Sequence, residues 1–465
     1  MAESPREAGA PPQARGIRIG TSSTIRPARQ SLLAGAGWVA LGAIGSRIVT
    51  VGAMIGVARL LGKDAFGQLG MVQQSVMLCS GVISYGLGLT AAKHLAELHQ
   101  VARDRAGHIL AVVVLASLGL AMLTGAIIVA ASPMLSGTSF GRQLLFQPLA
   151  WTVLWMIVSS VSLTMQGALT GMFAFRATAW VQLVESLCGG AGVLVGSLCA
   201  GLDGVVVGYV AASTTGCLVS CWSLKTYAAE MGIALQLPAW RDVVQESSAL
   251  RDYGLPMTLT GLVMSLSSWA SPALLVWHSG GYSEIAVFNA ANYWFNALVI
   301  LPNILQRVGT VMQAAALGQS DVTTGRKIYR DTVLFNVVLT GAAACPLALA
   351  SPWVLALFGP EFRGGWPTMV VCLASAICVS VVKPAEQSLT ATGRTWTILG
   401  LLTGFATIYV LASALLAPFG AFGMATARLG AYALHTVWMS AAARTAYPKS
   451  QMPRDVSPDP SALAA

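Results

Sequence analysis

Apolar runs of about 20 to 28 residues, separated by short polar loops, recur along the whole chain, and that is the length a helix needs to cross a bilayer core. The pattern predicts spans at 32–58, 66–89, 107–132, 144–168, 178–200, 204–224, 254–277, 286–315, 332–350, 367–390, 396–417 and 421–443. Strict alternation, the signature of a membrane β-barrel, is missing from these runs. The expected fold is therefore all-α and integral to a membrane, with about twelve transmembrane helices. Neighbouring helices should be antiparallel because the loops are short.

The longest connection, residues 225–253, mixes charges with Pro238 and Trp240 and divides the chain near its middle. It predicts a tail at 1–31, an N-lobe at 32–224, an interlobe linker at 225–253, a C-lobe at 254–443 and a second tail at 444–465. The halves also repeat. Gly201-Leu202-Asp203-Gly204 precedes span six, Gly420-Ala421-Phe422-Gly423 precedes span twelve, and Lys225-Thr226 or Arg444-Thr445 follows 21 residues after each second glycine. Gly62 with Gly281, Leu169-Thr170 with Leu389-Thr390 and Arg176 with Arg394 fall at nearly the same offset of 219. Six spans per half gives both halves one orientation, with a cavity between two lobes where a transporter holds its substrate.

Composition supports the membrane reading: 55% of residues are hydrophobic and only 10% charged, against about 25% charged in soluble domains. The net charge of +9 comes from 27 basic and 18 acidic residues, a balance that could suggest nucleic acid until the charges are placed. They lie in alternate loops. With the N-terminus inside, 19 basic residues fall on the cytoplasmic side and four, Arg59, Lys63, Arg142 and Arg363, on the other. Positive loops stay cytoplasmic, so both termini are expected there. Residues 1–30 lack a short apolar core with a cleavage site and read as a disordered tail rather than a signal peptide. The eight cysteines sit inside apolar runs without metal-type grouping, and no cofactor or metal is expected.

Six charged side chains fall within spans: Arg47, Glu185, Arg307, Lys383, Glu386 and Arg428. Each costs roughly 2.5–3.5 kcal/mol at the bilayer centre and so needs a wet cavity, a partner or an escape to the interface. Their sum of +2 favours an anionic ligand. Arg47 lies deepest in its span and Lys383 near mid-membrane, and the two are expected to face each other from opposite lobes. A self-neutralising Lys383–Glu386 pair at i, i+3 competes with that role. Arg307 lies where its side chain could snorkel to the interface. Asn289, Asn292, Asn296, Asn303 and Arg307 share one narrow face of span eight, a stripe that would line water or else bond neighbouring helices. Span ten carries a looser stripe of Ser380, Lys383, Glu386, Gln387 and Thr390. Pro302 and Pro384 can hinge these two helices. Gly52 and Gly56 form a small-xxx-small pair suited to packing. Glu185 and Glu386 are candidates for proton exchange that coupled transport would use.

Catalytic signals are weak. There is no phosphate loop, and Gly137-Thr138-Ser139-Phe140-Gly141 matches G-x-S-x-G only in a short loop, without the strand-turn-helix that a nucleophile elbow needs. An enzyme is not expected.

Three stretches resemble the Wzx-type polysaccharide flippases: Ala58-Arg59-Leu60-Leu61-Gly62-Lys63-Asp64-Ala65-Phe66-Gly67, Tyr253-Gly254-Leu255-Pro256, and Asn289 to Asn303 with Leu301-Pro302. The resemblance implies the multidrug, oligosaccharidyl-lipid and polysaccharide exporter (MOP) superfamily: two six-helix lobes, MATE-like, around a central cavity. It implies a flippase of undecaprenyl-diphosphate-linked oligosaccharides in the bacterial inner membrane, serving O-antigen, capsule or exopolysaccharide assembly. Its partners would be the lipid-linked oligosaccharide, membrane lipid and the polymerase or export machinery, with no nucleic acid. The cavity residues expected to bind substrate are Arg47, Lys383, Arg428, Arg307 and the four asparagines. Two alternatives stand beside this reading. A cation-coupled drug exporter of the same superfamily would generally use intramembrane carboxylates, where span one has Arg47. A membrane glycosyltransferase or polymerase would carry a large outer loop or catalytic acids.

Overall fold

A computed structural model describes residues 22–98, 103–136, 149–233, 255–279, 281–318 and 322–445. The N-lobe comprises α1 (Ser22–Leu61), α2 (Lys63–Leu98), α3 (Arg103–Ser136), α4 (Leu149–Gly171) and α5 (Phe175–Glu230). The C-lobe comprises α6 (Leu255–Ser279), α7 (Ser283–Gly318), α8 (Val322–Leu349), a short α9 (Ser351–Ala356), a 3-10 turn (Pro360–Gly365), α10 (Trp366–Ala391), α11 (Thr395–Leu416) and α12 (Gly420–Thr445). No strand occurs among the described residues.

Helix α5 runs for 56 residues, roughly twice what a bilayer crossing needs. It is a hairpin, not a rod. Ala200 and Gly201 leave helical geometry, Gly201 at φ 58° and ψ −132°, a region open mainly to glycine. The two arms then pack at backbone contact, because a Cβ on Gly196 would strike the Gly204 carbonyl and one on Gly192 would press on Gly208. The same device divides α11 from α12 at Gly420, φ 62° and ψ −144°. With both hairpins resolved, the described helices make twelve crossings, matching the twelve apolar runs. Several helices extend past those runs: α1 begins at Ser22, inside the expected tail, and α8 at Val322 rather than 332. Hydropathy detects only the segment that lipid surrounds. Of the expected tail, linker and far tail, residues 1–21, 234–253 and 446–465 lie outside the described residues, as do the 137–141 motif and Arg142.

The internal repeat is written in the turns as well. Phe173 N–H donates to Thr170 O (3.1 Å) and Ala174 N–H to Leu169 O (2.9 Å); Gly393 N–H donates to Thr390 O (3.0 Å) and Arg394 N–H to Leu389 O (2.9 Å). This is one Schellman C-cap made twice. Its left-handed position is Phe173 (φ 57°) in the N-lobe and Gly393 (φ 72°) in the C-lobe.

The outer surface of the bundle is apolar, with Leu198, Trp222, Trp277 and Leu415 exposed. That inverts a soluble protein's surface and suits hydrocarbon. Hydroxyls on that surface are satisfied by their own helix, as in Thr124 to Leu120 O and Thr403 to Leu399 O, both 2.8 Å.

The distribution of core residues shows how the lobes meet. One buried cluster draws on both lobes and occupies the end of the bundle that carries Gly62, with Met54, Phe66 and Leu69 packed among Phe288, Phe358, Phe362 and Met369. At the other end each lobe keeps a core of its own: Leu95, Ile109, Leu169 and Leu224 in the N-lobe, Val382, Leu389 and Met439 in the C-lobe. Among the described residues, the buried cluster shared by both lobes lies at the Gly62 end, and none at the Arg394 end draws on both.

Candidate functional site

The seam between the lobes is narrow because α2 presents glycine to α7. A Cβ on Gly67 would overlap the Tyr282 carbonyl, and one on Gly70 the Asn289 amide. Polar contacts continue the seam. Arg59 Nε donates to Leu357 O (2.6 Å), the Tyr282 amide to Asp64 Oδ1 (3.3 Å), and Trp269 Nε1 to Ser75 Oγ (3.1 Å). Burial, and secondarily the Asp64 carboxylate, push the Tyr282 hydroxyl up to about 12. Aromatic rings reinforce it, with Phe66 of the N-lobe 6.0 Å from Phe358 and 5.9 Å from Phe362 of the C-lobe.

Deeper along the seam lies a relay of hydrogen bonds. Tyr293 on α7 donates to Gln73 Oε1 on α2 (3.1 Å), Gln73 Nε2 donates to the Tyr209 hydroxyl on α5 (2.5 Å), and Tyr209 donates to Met54 Sδ on α1 (3.5 Å). Trp155 stacks on Tyr209 with centroids 4.4 Å apart. Arg47 stands beside this relay, within electrostatic reach of Tyr293. It is 14 residues before Leu61, about 21 Å along the axis from the joined end. Its Nε is buried without a hydrogen-bond partner, and no carboxylate of the described residues pairs with it. An arginine so placed is a cation held toward the lobe boundary.

The other expected site residues separate into distinct environments. Lys383 Nζ meets Glu386 Oε2 at 2.8 Å within α10, with side chains 25% and 16% exposed; the local pair forms, and Lys383 does not stand as a lone cation opposite Arg47. Glu185 accepts from Gln166 Nε2 (3.3 Å) between α4 and α5. Arg428 is buried inside the C-lobe, donating from Nη1 to Asn292 Oδ1 (2.7 Å); it does not present an open cavity surface in this conformation.

The span-eight stripe is divided. Asn289 is buried against Gly70 in the seam, Asn292 holds Arg428, Asn296 is half-buried and Asn303 is exposed. A single water-facing stripe is therefore not what this conformation displays, since the tight seam takes one asparagine and the C-lobe interior another. The side chain of Arg307 lies outside the described residues. Of the glycine pair on α1, Gly56 packs on Leu194 but Gly52 has nothing near it. Sequence reasoning missed Gln73, Tyr209 and Tyr293, and also Gly67 and Gly70. The signal was present in the spacing of Gly67, Gly70, Gln73 and Gly81 along one side of α2, where Gly81 meets Ser265 of α6.

Comparisons with known proteins agree with this architecture. An inward-facing multidrug-resistance MATE transporter of the MOP superfamily superposes with a TM-score of 0.72 at 16% identity, covering 87% of this chain and 96% of that one. An outward-facing MATE structure gives 0.64 at 15% identity, with 90% and 97% covered. A MOP-superfamily transporter from Pyrococcus furiosus gives 0.66 at 14% identity, with 90% and 97% covered. In sequence, the EPS I polysaccharide export inner membrane protein EpsE of Ralstonia solanacearum is 28% identical over 198 residues, which are 42% of this chain and 45% of that protein. The description "Polysaccharide biosynthesis protein" matches residues 32–312. Matched over more than half its length, the chain belongs to the polysaccharide biosynthesis protein family and is a multi-pass membrane protein on the MOP-superfamily transporter fold.

Proposed function

We propose that the protein is a flippase: it moves lipid-linked oligosaccharide units across the bacterial inner membrane for polysaccharide export, by alternating access between its two lobes. The observation that carries this reading is Arg47, a seam cation with no acidic partner among the described residues, in a bundle whose described residues share a buried core across the lobes at one end. A polyprenyl diphosphate offers what that cation lacks. Charge-assisted contacts to phosphate are strong where water is partly excluded.

The basic loops lie at the Arg394 end, which assigns that end to the cytoplasm. On that orientation, this conformation would be the one that loads from inside. Lys383 is the second cation of the site: an arriving phosphate competes with Glu386 for the ammonium, and the carboxylate so released can take a proton. Glu386 is thereby assigned to proton exchange, with Glu185 as its N-lobe counterpart. Asn296 and Asn303, on the less buried part of α7, are placed to meet sugar hydroxyls. Undecaprenyl diphosphate is the carrier the family resemblance implies, and a polymerase or export complex is the downstream partner.

The MATE-like fold also suits a cation-coupled drug exporter. One feature weighs against it: α1 carries Arg47 where a carboxylate would serve a cationic drug. Compositional analysis of lipid extracts from a deletion strain tests the choice. Accumulation of a diphosphate-linked saccharide is expected; unchanged lipid-linked sugar together with new drug sensitivity would reject the flippase.

A further inference from the structure

Among the described Lys, Arg, Asp and Glu residues, only Arg428 is buried, at 5% exposure. It sits on α12 between the rings of Phe295 and Phe288, whose centroids lie 4.2 and 4.9 Å from its Cζ. A guanidinium carries five N–H donors. Asn292 accepts one at 2.7 Å, the Cys372 thiol shares a hydrogen bond with the guanidinium, and Nε and Nη2 are buried with no oxygen or nitrogen acceptor. No carboxylate of the described residues forms an ion pair with it. Neighbouring acids are engaged elsewhere: Glu284 accepts the Ala421 amide at 2.8 Å, and Glu386 is held by Lys383 at 2.8 Å.

The groups around Arg428 are a thiol and hydroxyls, which can accept a hydrogen bond as well as donate one but carry no negative charge. Cys372, Tyr409 and Tyr432 lie within its electrostatic reach, and Ser271 adjoins Tyr409. The Ser271 hydroxyl shares a hydrogen bond with Tyr409, and that of Ser413 is buried without a partner. His435, two turns further along α12, is also buried, against the Phe405 ring at 5.2 Å. Ring faces attract a guanidinium but accept no strong hydrogen bond from its edge. A charge enclosed in this way without a counter-ion is among the costliest arrangements a membrane interior can hold. What the pocket lacks is one negative charge that accepts several hydrogen bonds.

We infer that the Arg428 pocket binds a small monovalent inorganic anion, a halide such as chloride, as a resident counter-ion inside the C-lobe. Arg428 is buried within the C-lobe between two phenyl rings, apart from the lobe seam where Arg47 stands, so this site is distinct from the one proposed for the transported substrate. The ion would join α7, α11 and α12 through Arg428, Asn292 and the Tyr409–Ser413 face.

The test is thermal unfolding of the purified full-length protein in sodium chloride against sodium gluconate at equal ionic strength. A saturable rise of a few degrees is expected with chloride, reproduced by bromide and absent in Arg428→Met. Equal melting in the two salts, or an undiminished chloride effect in Arg428→Met, would overturn the site. A shift with inorganic pyrophosphate and none with halide would also overturn it. Should Arg428→Met fail to fold, wild-type crystals grown in bromide decide the matter: an anomalous peak at hydrogen-bond distance from Arg428 supports the site, and its absence removes it.

Discussion

Gly70 and Asn289 touch across the lobe seam so closely that a methyl group at residue 70 would coincide with the asparagine amide. One turn earlier, Gly67 meets a less yielding neighbour, the Tyr282 carbonyl. The joined end therefore depends on two missing side chains. Gly67→Ala is expected to disfavour the joined state by about 1–3 kcal/mol, a population shift of roughly 5- to 150-fold. Spin labels at Lys63 and Arg363, on opposite lobes, should report a longer distance in the variant. Gly52→Ala is the control, since nothing lies within 4 Å of its added carbon. An unchanged distance distribution in Gly67→Ala would show that the seam is not a moving contact.

The repeated C-cap predicts a stabilising substitution. Phe173 holds the left-handed position that Gly393 holds in the other lobe, at a cost of about 1 kcal/mol for a side chain with a Cβ. Its side chain is 47% exposed and meets Phe175 edge-on with centroids 6.0 Å apart. Phe173→Gly should raise the melting temperature by about 1–2 °C, and Gly393→Phe should lower it. The reverse order in a thermal scan would contradict the equivalence of the two turns.

For Lys383 and Glu386 the prediction is one of non-additivity. Removing either partner breaks the pair and leaves the other's half-buried charge without it, whereas removing both leaves neither charge. Lys383→Met and Glu386→Gln are each expected to reduce the amount of folded protein in the membrane, and the double variant to restore it. Export per molecule should stay low in the double variant if Lys383 also meets substrate. Full export there would make the pair structural only.

Orientation is testable through charges that lie at opposite ends of the described helices. Cysteines replacing Lys93 and Lys327 should react with impermeant reagents only after the membrane is opened to the cytoplasmic side. Those replacing Lys63 and Arg363 should react from outside. A reversed pattern would exchange the loading and release faces.

Much of the architecture was legible in sequence because lipid enforces it. Twelve apolar runs became twelve crossings, and the glycines 219 residues apart, Gly201 and Gly420, mark equivalent breaks with nearly equal dihedrals. The site was less legible. Periodicity places Asn289, Asn292 and Asn296 on one helix face, but what that face meets changes along its length, from the Gly70 backbone to the Arg428 guanidinium. Phe173 could not be identified as a left-handed residue, since phenylalanine gives no such signal. Spacing alone also could not distinguish Gly52, which packs on nothing, from Gly67, which sets the seam.

The central claim is that Arg47 recognises a diphosphate during transport. It is tested most directly by reconstituting the purified protein in liposomes and following translocation of a polyprenyl-diphosphate-linked saccharide with an impermeant sugar-modifying enzyme. Wild type should translocate it. Arg47→Ala should lose at least about tenfold in rate, the effect of roughly 1.4 kcal/mol, and Arg47→Lys should keep part of the activity because charge survives the loss of fork geometry. Equal rates for wild type and Arg47→Ala, with both proteins folded and inserted, would contradict the account.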